Sequence, residues 1–490
     1  MNYETVIGLE VHVELSTKTK LFCNCENKFG AEPNTLVCPV CLGMPGTLPV
    51  VNESAVDRLI QAALALNCTV ATYSKFDRKN YFYPDMPKNY QISQYDLPLA
   101  KNGFLEIDTP AGRKKIGITR IHLEEDTGKS IHAGEAKSIA ASDYTLLNYN
   151  RAGVPLLEIV SEPDIRSPEE AYQYLVGLKK ILSWIGVSNC KMEEGSLRCD
   201  ANISIRSEGE STLGVKTEIK NMNSFKSVKL ALAFEEKRQR EALNKGESIV
   251  QETRGWEEGK GITISMRSKE EAHDYRYFPD PDLPPLIISP EKIKKLKESL
   301  PELPEAMAVR FINNYGIPAY DAGVLTSYRS FAEFFEAATG ICGDAKAVSN
   351  WMMSDVSKYL NERGMEIYDS KLSPSALARM IKLISNEVIS GKIGKQLIEE
   401  LLEKGGEPET IVEKKGWRQM TCPEEIMPFI LTAIDNNPAV LKQYLEGKET
   451  VRQFFAGQVM KLSKGKASPT VLNKLLDDEL KKRKEGNPPT

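Results

Sequence analysis

No apolar run in this 490-residue chain approaches the ~18 residues that a membrane-spanning helix requires, which excludes a transmembrane role. Neither charge is in real excess. With 64 Lys and Arg against 68 Asp and Glu, net −4, composition announces no nucleic-acid binder, so any such role must come from local patches. The opening MNYETVIGLEV has no basic region followed by an apolar stretch and enters a strand pattern at once, which sets the expectation of a cytoplasmic protein. Nine cysteines in that compartment are expected as thiols or metal ligands, not disulfides. A phosphate-binding loop is also absent, because the TGKS at 127–130 would need glycine at position 123, which is Leu123. The length exceeds one compact core and predicts two to four domains.

What is present is a repeated strand pattern. Between Val6 and Leu15, Ile7, Leu9, Val11, Val13 and Leu15 alternate with Glu10, His12 and Glu14, so a carboxylate and an imidazole project side by side, a pairing suited to a divalent cation. At 116–125, Arg120, His122 and Glu124 share a face opposite Ile121 and Leu123, while Glu125 and Asp126 lie where the strand ends. The register favours Glu124 as a ligand; a bulge entering the turn would favour Glu125. In KMEEGSLRCDANISIR (191–206), Asp200, Asn202, Ser204 and Arg206 oppose Ala201, Ile203 and Ile205. Glu194 and Arg198 are candidate catalytic groups there, and Ser196 and Arg206 candidate nucleotide contacts. At 213–220, Lys216, Glu218 and Lys220 alternate with Leu213, Val215, Thr217 and Ile219. Hairpin-like spacing predicts a mostly antiparallel sheet with one wet face, in an α+β fold. Several such faces lining a concavity would hold magnesium through Glu10, His12, Glu124 or Glu125, Asp200 and Glu218, together with polyphosphate; a histidine ligand would also admit manganese.

Cys23-x-Cys25, twelve residues, then Cys38-Pro-Val-Cys41 predict a tetrahedral thiolate zinc site, structural because no coordination position is left open. A helix capped at Asn52 follows. The stretch FDRKNYFYPDMPKNYQISQ interleaves aromatics with lysines, a pattern that stacks a base while a cation meets phosphate. Lys79, Tyr81 and Tyr83 are expected on one strand face, with Lys88 as a further nucleotide contact. Ser167, Pro168 and Glu170 read as N-cap, first helical position and capping-box partner of a packing helix. In 251–286, Arg254, Arg267 and Arg276 are candidates to neutralise phosphate, and Asp274 is a candidate metal ligand. Beyond about residue 293 the text turns helical and charged. Gly405-Gly406 marks a joint, and residues 456–490 carry 8 Lys and Arg against 4 Asp and Glu, suited to a phosphate backbone.

The strings IGLEVHVEL, CPVCLGMPGTLPVVN, FDRKNYFYPDMPKNYQISQ, HLEEDTGKS, KMEEGSLRCDANISI, EIKNMNSF, DYRYFPDPDLPPL and GQVMKLSKGKASP run end to end. Together they make the chain resemble the B subunits of the bacterial aspartyl/glutamyl-tRNA amidotransferases. The resemblance implies a cradle-shaped catalytic domain similar to glutamine synthetase (1–293, with the zinc insertion at about 22–42), a helical middle domain (294–406) and a small YqeY-like helical tail that meets tRNA (407–490). It implies that ATP phosphorylates the side-chain carboxylate of Glu on tRNA-Gln or Asp on tRNA-Asn, after which ammonia displaces phosphate. The residues suit this, because phosphoryl transfer demands positioning plus metal and arginine neutralisation, not a protein nucleophile. The chain shows no serine-rich amidase loop and no Cys/His glutaminase pair. Ammonia is therefore expected from a partner, which in this family is an amidase (glutaminase) subunit, with a small third subunit bridging the two in a heterotrimer.

Overall fold

The computed structural model describes residues 3–133, 142–268 and 274–485. It divides into two units, Met1–Leu303 and Pro304–Thr490. The strands of the first are β1 (Tyr3–Glu14), β2 (Thr69–Val70), β3 (Tyr73–Ser74), β4 (Asp77–Asn80), β5 (Tyr90–Ser93), β6 (Ala100–Thr109), β7 (Gly112–Glu125) and β8 (Lys129–His132). They continue with β9 (Thr145–Asn148), β10 (Pro155–Ser161), β11 (Leu197–Ser207), β12 (Thr217–Lys220), β13 (Glu252–Glu257), β14 (Ile262–Ser268), β15 (Phe278–Pro279) and β16 (Leu286–Ile287). Its helices are α1 (Glu53–Ala65), α2 (Pro168–Trp184), α3 (Phe225–Asn244) and α4 (Pro290–Glu298). The last of these starts before the expected boundary at 293 and packs on α1, with Ile293 and Leu296 against the first unit's core.

Nine strands form one mixed sheet in the order β14-β13-β12-β11-β1-β10-β7-β6-β2. All neighbouring pairs are antiparallel except β12 and β13. Period-two alternation decides the layers. Ile7, Leu9, Val11 and Val13 of β1, Leu157 and Ile159 of β10, and Leu197, Cys199, Ala201 and Ile203 of β11 are buried in one core with Leu59 of α1, Leu175 and Leu178 of α2, and Val228 and Leu232 of α3. Each of the Val, Leu and Ile side chains among them contributes about 1.5–3 kcal/mol on burial. The opposite face carries the charged residues.

Two departures from strict alternation matter. In β7, Ile116 and Ile118 are buried, and so are Ile121 and Leu123. The phase changes because Ser161 pairs with Ile118 and Val160 with Arg120, leaving Thr119 as a bulge. That bulge turns Arg120, His122 and Glu124 onto the polar face. The expected strand at 213–220 is only Thr217–Lys220; Leu213 and Val215 are exposed and pair with no strand. Ser167 caps α2 as expected, but the Glu170 carboxylate accepts from the Arg166 N–H and not from the cap residue. The TGKS segment opens β8 and not a helix.

In the second unit the described residues form helices from Pro304–Tyr315 to Pro469–Glu485. Its last part closes a core of Ile426, Ile430, Phe455, Val459, Leu472, Leu476 and Leu480. No helix among the described residues is long and apolar enough to cross a membrane.

Candidate active site

Three strands meet at one point of the polar face. Register places His12 of β1 opposite Glu158 of β10, and Glu158 opposite His122 of β7. His12 Nε2 lies 3.5 Å from Glu10 Oε1, 3.5 Å from Glu124 Oε1 and 3.6 Å from Glu158 Oε2. His122 Nε2 lies 3.6 Å from the same Glu158 Oε2 and 3.9 Å from Glu124 Oε2. Two overlapping donor sets, Glu10–His12–Glu158 and His122–Glu124–Glu158, each have ligand atoms within 4.8 Å of one another.

Three carboxylates packed this closely repel, and the site's protonation records it. Burial, offset by the His12 charge and reinforced by Glu158, pushes Glu124 up to about 7. Burial and then the charge of Glu158 raise Glu10 as well. For His12, burial would lower the pKa, but the hydrogen bond to Glu158 and the charges of Glu124, Glu158 and Glu10 overcome it and hold it at about 9. Burial takes His122 down to about 4, so its ring is neutral and its lone pair free at neutral pH. A divalent cation relieves the repulsion and competes with the proton on His12, so the donor set fits oxygen-rich coordination with imidazole at its edge.

Charged groups extend the site along the face. Asp200 lies opposite Glu10 and binds Lys220 Nζ at 2.9 Å, and Lys220 also reaches Glu218 at 3.4 Å. Arg198, opposite His12, binds the buried Asp126 at 2.6 Å, with Arg151 Nε 3.6 Å from the same oxygen. Burial and the neighbouring Asp126 push Glu14 up to about 8. The charge of Lys79 bears on both His122 and Glu124. Its ammonium lies 5.0 Å from the Tyr275 ring and 6.0 Å from that of Tyr81. Tyr277, stacked on Tyr95 at 4.0 Å, has its hydroxyl pKa raised by burial and by Glu124 and Glu158.

A second cluster is built on loops. Cys23, Cys25, Cys38 and Cys41 place their sulfurs within 4.8 Å of one another. Cys41 Sγ accepts the Cys38 N–H at 3.1 Å. A hydrogen bond from the Cys23 thiol favours the Cys41 thiolate and lowers it to about 5, while burial takes Cys25 up to about 11. Four convergent sulfurs with a backbone N–H directed at one of them fit a closed tetrathiolate metal site.

Residues 5–294 match the GatB/GatE catalytic domain, and residues 333–480 match the GatB (Yqey) domain. The B subunit of the aspartyl/glutamyl-tRNA(Asn/Gln) amidotransferase of Carboxydothermus hydrogenoformans is 54% identical, over 98% of this chain and 99% of its own length. The chain belongs to the GatB family. The proteins of the same name from Caldanaerobacter subterraneus subsp. tengcongensis, at 55%, and Geobacillus thermodenitrificans, at 53%, also align over their whole length.

Within this GatB chain the structure sorts the residues expected at the site. It brings Glu10, His12 and Glu124 together, with Asp200 and Glu218 on the adjoining strands and Lys79 and Arg198 at the margin. Glu125 does not join them. Its strand continues unbroken to the end, so Glu125 falls on the other face, where it binds Lys88 and accepts the Ile92 N–H at 3.0 Å. Lys88 is correspondingly absent from the polar face. Lys79, Tyr81 and Tyr83 do not share one strand face, because β4 ends at Asn80 and both tyrosines lie beyond it.

Ser196 serves its own loop: it accepts the Lys191 N–H at 2.9 Å and donates to Lys191 O at 3.0 Å. Glu194 in that loop pairs with Lys191 at 2.9 Å. Arg206 sits at the far end of β11 and binds Glu4 at 2.6 Å. Arg254 points to the helix-covered face, saturated by Glu252, Glu235 and Thr263. Lys216 is exposed just before β12. Asp274 accepts the Arg276 N–H at 2.9 Å in a loop whose Tyr275 and Arg276 carbonyls receive Asn80. The Arg267 side chain lies outside the described residues.

Two central residues were missed, Glu158 and, as a ligand, His122. The signal for Glu158 was a single carboxylate inside the otherwise apolar PLLEIV.

Proposed function

We propose that this chain is the component of a glutamine-dependent tRNA amidotransferase that converts misacylated Asp-tRNA(Asn) and Glu-tRNA(Gln) into Asn-tRNA(Asn) and Gln-tRNA(Gln). The observation that carries the reading is the cluster of half-buried Glu10 and His12 with buried His122, Glu124 and Glu158 on the sheet of a GatB chain. A carboxylate is a poor acceptor for ammonia. Transfer of the γ-phosphoryl of ATP to a side-chain oxygen of the tRNA-borne residue, with loss of ADP, gives an acyl phosphate; ammonia then attacks the acyl carbon and phosphate leaves.

Glu10, His12, His122, Glu124 and Glu158 would hold magnesium, which would supply charge neutralisation for phosphoryl transfer. The chain's own groups do the rest. Lys79 and Arg198 bring positive charge to the margins of the acidic cluster, and Arg198 is held in place by Asp126. Tyr81, Tyr275 and Tyr277 pack edge to face beside Lys79. His122, neutral and buried, would offer the lone pair of its unprotonated ring nitrogen to that cation. Lys220 ties Asp200 to Glu218, so these two carboxylates support Glu10 from the next strands.

In this reading residues 1–293 form a cradle resembling glutamine synthetase. Residues 294–406 form a helical middle domain, and 407–490 a tail that holds the tRNA body through its basic end. Zinc at Cys23, Cys25, Cys38 and Cys41 is structural. An amidase partner, bridged to this chain by a small third protein, delivers ammonia, and the complex acts in the cytoplasm. The test is single-turnover formation of phosphorylated aminoacyl-tRNA from labelled ATP without an ammonia donor, followed by amidation when ammonia is added. Activity on free glutamate equal to that on glutamyl-tRNA would replace this reading with a small-molecule ligase.

A further inference from the structure

The Cys cluster contains a lysine that its four-cysteine spacing does not announce. Lys20 is fully buried, 0% exposed, between Leu21 and the end of β1. Its backbone is fixed from two sides: its N–H donates to Cys25 O at 3.0 Å, and its carbonyl accepts the side chain of Asn52, the cap of α1, at 3.2 Å. The stem runs beneath Gly153, where an added Cβ would sit 3.6 Å from Lys20 Cδ and 3.5 Å from Cys41 Cβ; with φ +84 this position also favours glycine. The ammonium meets three acceptors, Leu36 O at 2.8 Å, Tyr149 O at 3.4 Å and Cys41 Sγ at 3.8 Å.

Three acceptors match the three hydrogens of an ammonium. Two of them are neutral carbonyls, which leave a buried charge uncompensated, and an uncompensated buried charge is strongly unfavourable. The third is a sulfur of the tetrathiolate set. Glu125, a carboxylate that also lies beside Gly153, is paired with Lys88. Four thiolates around a divalent cation carry a net charge of −2, so cluster and lysine each lack what the other has.

We propose that Lys20 is the built-in counter-charge of the Cys23–Cys25–Cys38–Cys41 metal site: its ammonium donates to the Cys41 thiolate and holds the loaded, anionic cluster inside the fold. Lys20 is a positioning residue and not a ligand. This rests on the reading of the four cysteines as a zinc site. It has two consequences. The cation withdraws charge from Cys41, so the loaded site resists electrophiles and loss of metal. Lys20 and metal also stabilise each other, so removing one reduces the value of the other.

The experiment compares wild type with Lys20→Met in the full chain, loaded with zinc and stripped by chelator. Lys20→Met is expected to hold zinc about 10–100-fold more weakly in competition with a chromophoric chelator, as loss of a partner hydrogen-bonded to a metal ligand typically does. Its cysteines should release zinc faster to a disulfide reagent. Its melting temperature should fall in the loaded protein and fall less, or rise, in the stripped protein. A residue that merely fills space would lower both equally, and that result, or unchanged zinc affinity, overturns the proposal. If Lys20→Met does not fold, wild-type protein labelled with 15N-lysine decides: the Lys20 ammonium signal should move when zinc is removed, and a stationary signal overturns the inference. Wild type that binds no zinc at all overturns the zinc reading and this one with it, whereas tight zinc binding in both proteins removes Lys20 alone.

Discussion

The first unit holds two ligand clusters made in opposite ways. The acidic cluster stands on three neighbouring strands of a regular sheet, where hydrogen-bonded register fixes each Cα before any cation arrives. The thiolate cluster stands on loops between β1 and α1, in a segment rich in Gly, Pro and Asn that has little core of its own. The same ingredient, several donors within 4.8 Å, therefore means different things. On the sheet the donors are preorganised and mutually repulsive, a state that serves chemistry because binding of a cation relieves it. On the loops, in the proposed reading, a metal would supply the order that the backbone lacks.

The sharpest way to break this contrast is to remove single donors from the sheet. Glu124→Gln, His12→Ala and Glu158→Gln should each slow single-turnover phosphorylation of aminoacyl-tRNA by roughly a hundredfold or more, with magnesium dependence shifted to higher concentration. Wild-type rates in all three would place the metal elsewhere. Glu125→Gln, on the other face, should leave the magnesium dependence unchanged; a shift equal to that of Glu124→Gln would return Glu125 to the site.

For the loop cluster the expected damage is to stability. Cys38→Ser should lose its zinc and melt several degrees lower, yet retain phosphoryl transfer in the fraction that stays folded. A metal-free chain as stable as the loaded one would end the distinction between the two clusters.

Protonation separates them more gently. With His12 at about 9, the ring is charged at pH 8 in the absence of a cation, so manganese or magnesium binding must expel that proton. Calorimetry at pH 8 in buffers of different ionisation enthalpy should report about one proton released per cation, falling as pH rises above 9. Release that does not depend on pH, or is missing in wild type, would show that His12 is not displaced. The smallest effect concerns the second unit. Removing residues 417–490, beyond the Gly416 cap, should raise KM for aminoacyl-tRNA several-fold while leaving the single-turnover rate at saturating tRNA intact. An unchanged KM would mean that the tail does not hold the substrate.

Much of this was legible in the sequence because alternation in a strand is a local property. IGLEVHVEL by itself puts Glu10 and His12 on one face, and the Cys23-x-Cys25 and Cys38-x-x-Cys41 spacing by itself brings sulfurs close. The caps at Asn52 and Ser167 were equally local. The misreadings have a common physical origin. Arg254 and Arg206 lie on strands, as expected, but which face meets the helices and which neighbour offers a carboxylate depends on partners distant in the chain. The 213–220 segment alternates well enough, yet only its last four residues find β11 to pair with.

What the sequence determined, then, is the set of side chains that each segment presents together, since period and spacing are properties of the local backbone. What only the tertiary structure decided is which segments become neighbours and in what register. That decision brought Glu158 and His122 into the site from β10 and β7 and, through a register unbroken beyond the Thr119 bulge, turned Glu125 away from Glu124. It also set Lys20 against Cys41, because burial and contact between segments remote in sequence are properties of the packed fold.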